Sequence, residues 1–361
     1  MTTAAILAYV PRMRWVRYLL LVAGSVLALA SEGAQVRGLY EAEIPTAGGE
    51  PAAKAEAMEM ALRVVLVKLT GDRNAAQREG VAGLFKEPQV YIQQYGYQTS
   101  EGGQGNAGGG GRVLAVKFDA KALSGALRRA GLNLWGRERP LVLVGVSLGS
   151  GGKRAMVSRD DASGYTHAIE HQARQRGLPI VIPIMDERDR AWLSDLQTLP
   201  ATATGEVSNP YGADAILTGH LDDVPSGLWE AKWSLFYGGE VQRWPSQGDS
   251  AETVLEEGVD QGTDALVALL NAPSDQLSED IVSLTVHGVA ALDHYAQLQH
   301  YLESLEAVTH SSVVRVQPDS VEFVVIARGG ESALGRAIAL GKYLEPMSGD
   351  PAPGHYQLRL Q

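Results

Sequence analysis

No cysteine occurs in the 361 residues, so no disulfide can hold any part of this chain together. Each domain must stand on hydrophobic burial, and the lipid-bearing cysteine of an exported lipoprotein is excluded as well. Long apolar runs are equally scarce: after the first thirty residues no stretch approaches the roughly 20 needed to span a bilayer. Basic excess is missing too. The net charge is −11, and no lysine or arginine stripe offsets it, which argues against a phosphate-backbone partner. At 45% hydrophobic and 20% charged residues, the composition is that of a globular protein, and the length allows two or three domains.

The one concentrated apolar run is at the start. Arg12, Arg14 and Arg17 precede Tyr18–Leu27, and the small-x-small triplet Ala28-Leu29-Ala30 closes it. Basic, apolar and small residues in that order make a secretory signal peptide, with cleavage expected after Ala30. Residues 1–11 carry no charged side chain, so translation is expected to begin at Met13. Removing residues 1–30 removes three arginines and no acid, which takes the net charge from −11 to −14.

The rest reads as an α+β protein of three mixed helix/strand segments. In the first, residues 36–139, Val36–Ile44 is a strand. Pro51 opens a helix whose Met58, Ala61, Leu62, Val65 and Leu69 recur at helical spacing up to the stop at Gly71. Gln94–Thr99 and Arg112–Phe118 form a hairpin around the glycine-rich loop Gly102–Gly111, and Asp119 caps a helix that ends at Gly131. Tyr91, Tyr95 and Tyr97 read as half-buried strand residues, with a polar-aromatic binding face as the alternative.

In the second segment, residues 140–272, the apolar run Leu141–Leu148 is an interior strand and Gly164–Arg176 a helix that ends at Gly177. Ile180–Ile184, a short helix to Leu196, and Ala213–Leu221 follow. Trp229–Tyr237 and Glu240–Trp244 flank the hairpin turn Gly238-Gly239, and Asp249 with Glu252 caps the helix carrying Leu255, Val259, Leu266 and Leu269. This is a sheet covered by helices. Trp229, Trp233 and Trp244 lie on the hairpin; Trp229 and Trp233 fall on one side of their strand and read as core, with an exposed binding ridge as the alternative. The third segment, residues 280–361, has the order β-α-β-β-α-β, the ferredoxin-like order.

Two motifs carry possible chemistry. Gly145-Val146-Ser147-Leu148-Gly149 matches the G-x-S-x-G nucleophile elbow of serine hydrolases, with His220 and His287 downstream. The elbow needs a helix directly after the serine, and here the helix begins only near Gly164. His167-Ala168-Ile169-Glu170-His171 spells the inverted zinc-peptidase motif, whose two histidines share one helical face. Ala168, Ile169 and Ala173 take the opposite face, so the histidines point away from the domain core, and a third ligand would have to be Glu252 or Glu256. A solvated helix face is the alternative. The remaining histidines, His294, His300, His310 and His355, show no ligand spacing, Gly149–Arg154 fails the phosphate-loop register, and no pattern calls for a cofactor.

Several stretches together resemble a numbered family of unknown function among Gram-negative exported proteins, family 2066. They are Leu39-Tyr40-Glu41-Ala42, Val67–Arg73, Tyr91–Tyr95, Leu134-Trp135-Gly136-Arg137-Glu138-Arg139-Pro140, Arg176-Gly177-Leu178-Pro179 with Pro183 and Asp186, and Tyr211-Gly212-Ala213-Asp214. The resemblance implies export and a shared fold, and brings no activity or catalytic residues. The second segment is also similar, at the level of fold, to periplasmic interaction domains of cell-wall-synthase activators and of the Tol system. Trp135, Arg137, Glu138 and Arg139 mix an aromatic ring with both signs of charge and are the candidate partner-binding residues. Their structural alternative is a domain junction. The expectation is a non-catalytic periplasmic binding or accessory module whose partner is an unknown envelope protein or cell-wall component. The alternatives are a serine hydrolase through Ser147 or a zinc peptidase through His167, Glu170 and His171.

Overall fold

A computed structural model of the chain describes residues 36–46, 51–99, 112–150, 153–161, 163–195, 207–270, 279–341, 343–347 and 354–359. The export segment, with its expected start at Met13 and cut after Ala30, and the glycine-rich loop Gly102–Gly111 lie outside the described residues. The fold is mixed α/β, with three sheets that each have their own core. No helix among the described residues is long and apolar enough to cross a membrane.

The first sheet holds β1 (Glu41–Pro45), β2 (Ile92–Thr99) and β3 (Arg112–Phe118) in the order β1-β3-β2, all antiparallel. Helix α1 (Pro51–Thr70) buries Met58, Ala61, Leu62, Val65 and Leu69 against it. Helix α2 (Ala120–Arg129) starts where the Asp119 carboxylate accepts the Ala122 N–H at 2.8 Å, a side-chain cap for an otherwise unpaired backbone donor. The expected strand from Val36 shortens to β1, because Gly38 turns the chain at φ 70° and Glu41 N–H bonds back to the Gly38 carbonyl.

The second sheet runs β5-β4-β7-β8-β9, built from β4 (Val142–Ser150), β5 (Lys153–Met156), β7 (Ala215–Asp223), β8 (Trp229–Tyr237) and β9 (Glu240–Gly248). The two-residue β6 (Ile180–Val181) pairs with the start of β4. The strand β5 was not legible as a separate element: it is four residues long, and Lys153 and Arg154 leave only Ala155 and Met156 as apolar signal. Helix α3 (Tyr165–Arg176) and helix α5 (Ala251–Leu270) cover one face, over Val142, Val144, Val146, Leu217 and Trp233. Helix α4 (Glu187–Asp195) lies on the loop after β6. The cap of α5 is Ser250, whose hydroxyl accepts the Thr253 N–H at 3.1 Å, and not the expected Asp249. Gly238 and Gly239, both at positive φ, make the hairpin turn.

Trp233 fixes how closely α5 lies on the sheet. It is 1% exposed, donates from Nε1 to the Ser246 hydroxyl at 2.9 Å, and lies between Gly219 of β7 and Gly258 of α5. A Cβ at either glycine would fall well inside contact distance of the indole ring. Trp229 and Trp244 pack partly buried beside it on the same side of the sheet.

The third sheet comprises β10 (Glu279–His287), β11 (Val308–Val316), β12 (Ser320–Arg328), β13 (Leu344–Pro346) and β14 (His355–Leu358), ordered β11-β12-β10-β14-β13. Helices α6 (Leu292–Ser304) and α7 (Gly330–Gly341) contribute Leu298, Leu302, Leu334 and Ile338 to its core. The expected six-element order gains a strand. The short β13 takes the edge, and β14 pairs parallel to β10. Three residues with one buried leucine gave β13 too little periodicity to be read in advance.

Gly258→Ala tests the tryptophan seat. In an isolated helix the change gains about 1 kcal/mol of propensity. Here the indole blocks the new methyl, and urea unfolding should show a net loss of about 1–3 kcal/mol.

Candidate functional site

Val67–Arg73, Leu134–Pro140 and Arg176–Pro179 meet in one junction between the first sheet and the second. Helix α1 ends at Gly71 (φ 70°) and α3 at Gly177 (φ 63°), each a left-handed stop that glycine adopts without strain. A helix C-terminus leaves carbonyls unpaired and carries partial negative charge. Both ends converge on Arg139, which is 1% exposed. Its Nε donates to the Gly136 carbonyl (2.8 Å). Nη1 donates to those of Gly177 (2.7 Å) and Arg176 (3.5 Å), and Nη2 to those of Lys68 (2.6 Å) and Trp135 (2.8 Å). All five N–H groups of the guanidinium are thus used on carbonyls, and its plane lies over the Trp135 ring at 4.0 Å. Burial pushes its pKa down to about 9. The five acceptors and two helix ends hold the cation in place of water.

A second buried arginine extends the junction. Arg176, 2% exposed, donates to Asp260 Oδ1 (2.8 Å), to Asp264 Oδ1 (2.5 Å) and to the Gly71 carbonyl (2.8 Å). Arg73 reaches the same side of α5, pairing with Asp264 at 2.7 Å and Glu257 at 3.4 Å. Glu257, Asp260 and Asp264 lie three and four residues apart, hence on one helical face. This network was missed from sequence, since buried and solvated charges on a helix look alike until the partner helix is placed.

The candidate set Trp135, Arg137, Glu138 and Arg139 therefore divides. Arg139 is removed from it as a correction: it is sealed inside the junction, and no partner can reach it. Trp135 is half-buried, with its backbone N–H donating to the Leu69 carbonyl at 2.6 Å. Arg137 is exposed and Glu138 half-buried. These three line a cleft of about 190 Å³ whose far bank is the third sheet's α7 and the segment Leu305–Ala307 just before β11. There the Arg128–Glu306 pair (2.5 Å) bridges to the third sheet. Gly136 permits the approach, for its Cβ would meet that of Glu306 at 2.9 Å.

Ser147 is not on an elbow. Gly145–Gly149 lies within β4, the serine is fully buried, and a strand pair follows it in place of a helix. The structure does bring His220 to it: the two stand opposite on the parallel pair β4–β7, with Ser147 Oγ 2.8 Å from His220 Nδ1. Arg154 donates to the same oxygen at 2.9 Å and to Asp222 at 2.6 Å. His220 Nε2, where a hydrolase would place its orienting acid, is buried without a partner among the described residues. His287 lies in the third sheet. The arrangement is a polar chain that leaves the serine no route to a substrate.

His167 and His171 are exposed on α3, their rings stacked at 6.2 Å, while Ala168, Ile169 and Ala173 are buried as the helical wheel requires. They face a cleft of about 880 Å³ whose other wall is β1, with Glu41, Glu43 and Lys68. Glu170 pairs with Arg174 at 3.7 Å. Glu252 and Glu256 do not join the histidines, and no group of three metal-ligating side chains forms among the described residues. Burial lowers the pKa of Lys68, and its ammonium donates to the Glu41 carbonyl at 2.9 Å. That bond and Pro45 blunt the free edge of β1.

Residues 33–136 match the sequence pattern of a domain of unknown function (DUF8605). No curated protein matches the chain. Among solved structures it is similar to a PelC variant dodecamer from Paraburkholderia phytofirmans, at 12% identity over 36% of this chain and 89% of that one, with a TM-score of 0.21. The C-terminal domain of LpoB from Salmonella enterica is similar at 11% identity, over 31% of this chain and 83% of that one, TM-score 0.21. A competence or damage-inducible protein from Enterobacter asburiae is similar at 14% identity over 41% and 94%, also at 0.21.

Arg139→Lys should lose on the order of 3 kcal/mol in urea unfolding, because one ammonium cannot reach carbonyls spread around a planar fork and leaves some buried unpaired. His220 gives a pH test. Burial first, then the Arg154 charge, hold its pKa below the ordinary value, while Asp222 pulls the other way. On acidification the unfolded chain therefore takes up this proton before the folded one does, and stability falls below about pH 6.5. The urea midpoint of His220→Asn should drop less than that of the wild type between about pH 7.5 and about pH 5.5.

Proposed function

We propose that this is a non-catalytic binding or accessory module of the bacterial envelope, exported to the periplasm by residues 1–30 and cut after Ala30. It is read as three domains, 36–139, 140–272 and 280–361, the last a ferredoxin-like variant with one added strand. On this reading the chain is also akin to the exported family 2066. The observation that carries the reading is the division of the Trp135–Arg139 segment. Arg139 locks the backbone from beneath, and Arg137, two residues before it, is left exposed on a fixed rim. A segment held this rigidly presents its outer groups with little ordering entropy to lose, which favours binding. The partner is an envelope protein or a cell-wall component that meets Trp135, Arg137 and Glu138.

One observation favours an enzyme: the Ser147–His220 hydrogen bond. The burial of the serine weighs against it.

A photo-crosslinking residue placed at Arg137 or at Arg336, across the cleft, should give the same discrete adduct in intact cells, and one placed at exposed Gln89 should not. No adduct from either rim position, together with fluorophosphonate labelling that disappears in Ser147→Ala, would replace this reading with the hydrolase.

A further inference from the structure

We propose that His167 and His171 form a two-ligand site for a late first-row transition dication, copper(II) ahead of zinc(II), on the wall of the cleft between α3 and β1. The inference goes beyond the partner surface at Trp135, because it concerns a different helix and a different class of ligand.

Residues four apart on a helix lie one above the other, and helical side chains lean toward the N-terminus, so the second ring reaches back over the first. In α3 both imidazoles are exposed and stacked, with centroids 6.2 Å apart and planes 29° from parallel. The backbone beneath them is fixed. Ala168, Ile169 and Ala173 are buried on the far face, and Thr166 ties the first turn to the Ser158 carbonyl at 2.7 Å. Arg176 anchors the last turn to Asp260 and Asp264. Two nitrogens on so rigid a base share one ion at little ordering cost, since the second meets a metal already held by the first. Metal–nitrogen bonds of about 2.0–2.1 Å then need only a turn of each exposed ring about its side-chain bonds.

Both rings are available for this. His167 makes no hydrogen bond or ion pair among the described residues, and His171 has only the Gln175 amide at 3.4 Å, a long contact that a metal bond would replace. The carboxylates around them are engaged elsewhere: Glu170 with Arg174 at 3.7 Å, Glu41 with Lys117 at 3.2 Å, and Glu43 near the Lys68 ammonium. No third metal-ligating side chain joins the histidines among the described residues. Water therefore completes the coordination, and the open positions face a cleft of about 880 Å³. Imidazole suits copper, zinc and nickel, whereas magnesium and calcium prefer oxygen, and at a given nitrogen site copper(II) binds most tightly. Such a pair holds an ion exchangeably and lacks the third ligand of a zinc peptidase.

The test is titration of the chain from Ser31, made without an affinity tag, with copper(II), zinc(II) and magnesium chlorides. Calorimetry reads the affinity, and electron paramagnetic resonance reads the copper ligands. One equivalent of copper(II) should bind at least about tenfold more tightly than zinc(II), and magnesium should not bind. The resonance should show two equatorial nitrogens. His167→Ala and His171→Ala should each weaken copper binding at least about tenfold, with unchanged far-ultraviolet dichroism because both side chains are exposed. Glu170→Gln should keep the affinity within about threefold, since Glu170 serves only as the surface partner of Arg174. His355→Ala is the second control and should keep it too. His355 and His287 make another ring pair, at 6.0 Å across β10 and β14, but both are half-buried. Retained affinity in either α3 variant, a large loss in Glu170→Gln or His355→Ala, or zinc or magnesium binding as tightly as copper would each overturn the inference.

Discussion

The Arg139 guanidinium is the constraint on which the assembly of the first and second sheets rests. Two helices end side by side, each with carbonyls that no further helical turn will satisfy. Without a donor between them, those ends would repel each other and bury unpaired acceptors. A single planar cation with five N–H groups answers both problems. Lysine, with its donors on one nitrogen, would not. Among the described residues no carboxylate pairs with Arg139; the acids are gathered one layer outward, on α5, where Arg176 and Arg73 meet them.

The second sheet shows a related economy. Its large aromatic, Trp233, is placed by what its neighbours lack, since Gly219 and Gly258 have no side chains to hold the strand and helix apart. The sheet's other face is divided. One end packs Leu143, Ile216 and Phe236 with Met185 and Val207. The other carries the Ser147–His220–Arg154–Asp222 chain. Met185 sits at φ 61°, a strained value for a residue with a side chain, and buried Asp189 holds it by accepting the Met185 N–H at 3.1 Å and the Tyr211 hydroxyl at 2.5 Å. Here again a polar group fixes a loop that apolar packing alone would leave undetermined.

Much of the framework was legible in particular residues. The helical spacing of Met58 to Leu69, the stops at Gly71 and Gly177, the Asp119 cap and the Gly238-Gly239 turn appear as read, because each rests on interactions within a few residues of chain. The short strands β5 and β13 escaped, as did the Ser250 cap, because brief or competing local signals are decided by the partner strand or helix. The candidate sites were legible as residues and illegible as roles. Gly145–Gly149 has the letters of an elbow and the geometry of a strand interior. His167 and His171 have the spacing of ligands and face a cleft without a third one among the described residues.

By itself the sequence determined that no disulfide supports the chain, where helices such as α1 and α3 stop, and which faces are apolar, for these follow from composition and short-range stereochemistry. It also marked Trp135 to Arg139 as a segment of consequence. Only the tertiary structure decided that Arg139 looks inward and Arg137 outward, that Arg176 meets the acids of α5, and that Ser147 finds His220. The physical reason is that an arginine, a serine or a histidine has the same letter whether it faces water or five carbonyls. Its environment is assembled from segments tens of residues away, such as Lys68, Gly177 and Asp260, and exists only once they are packed.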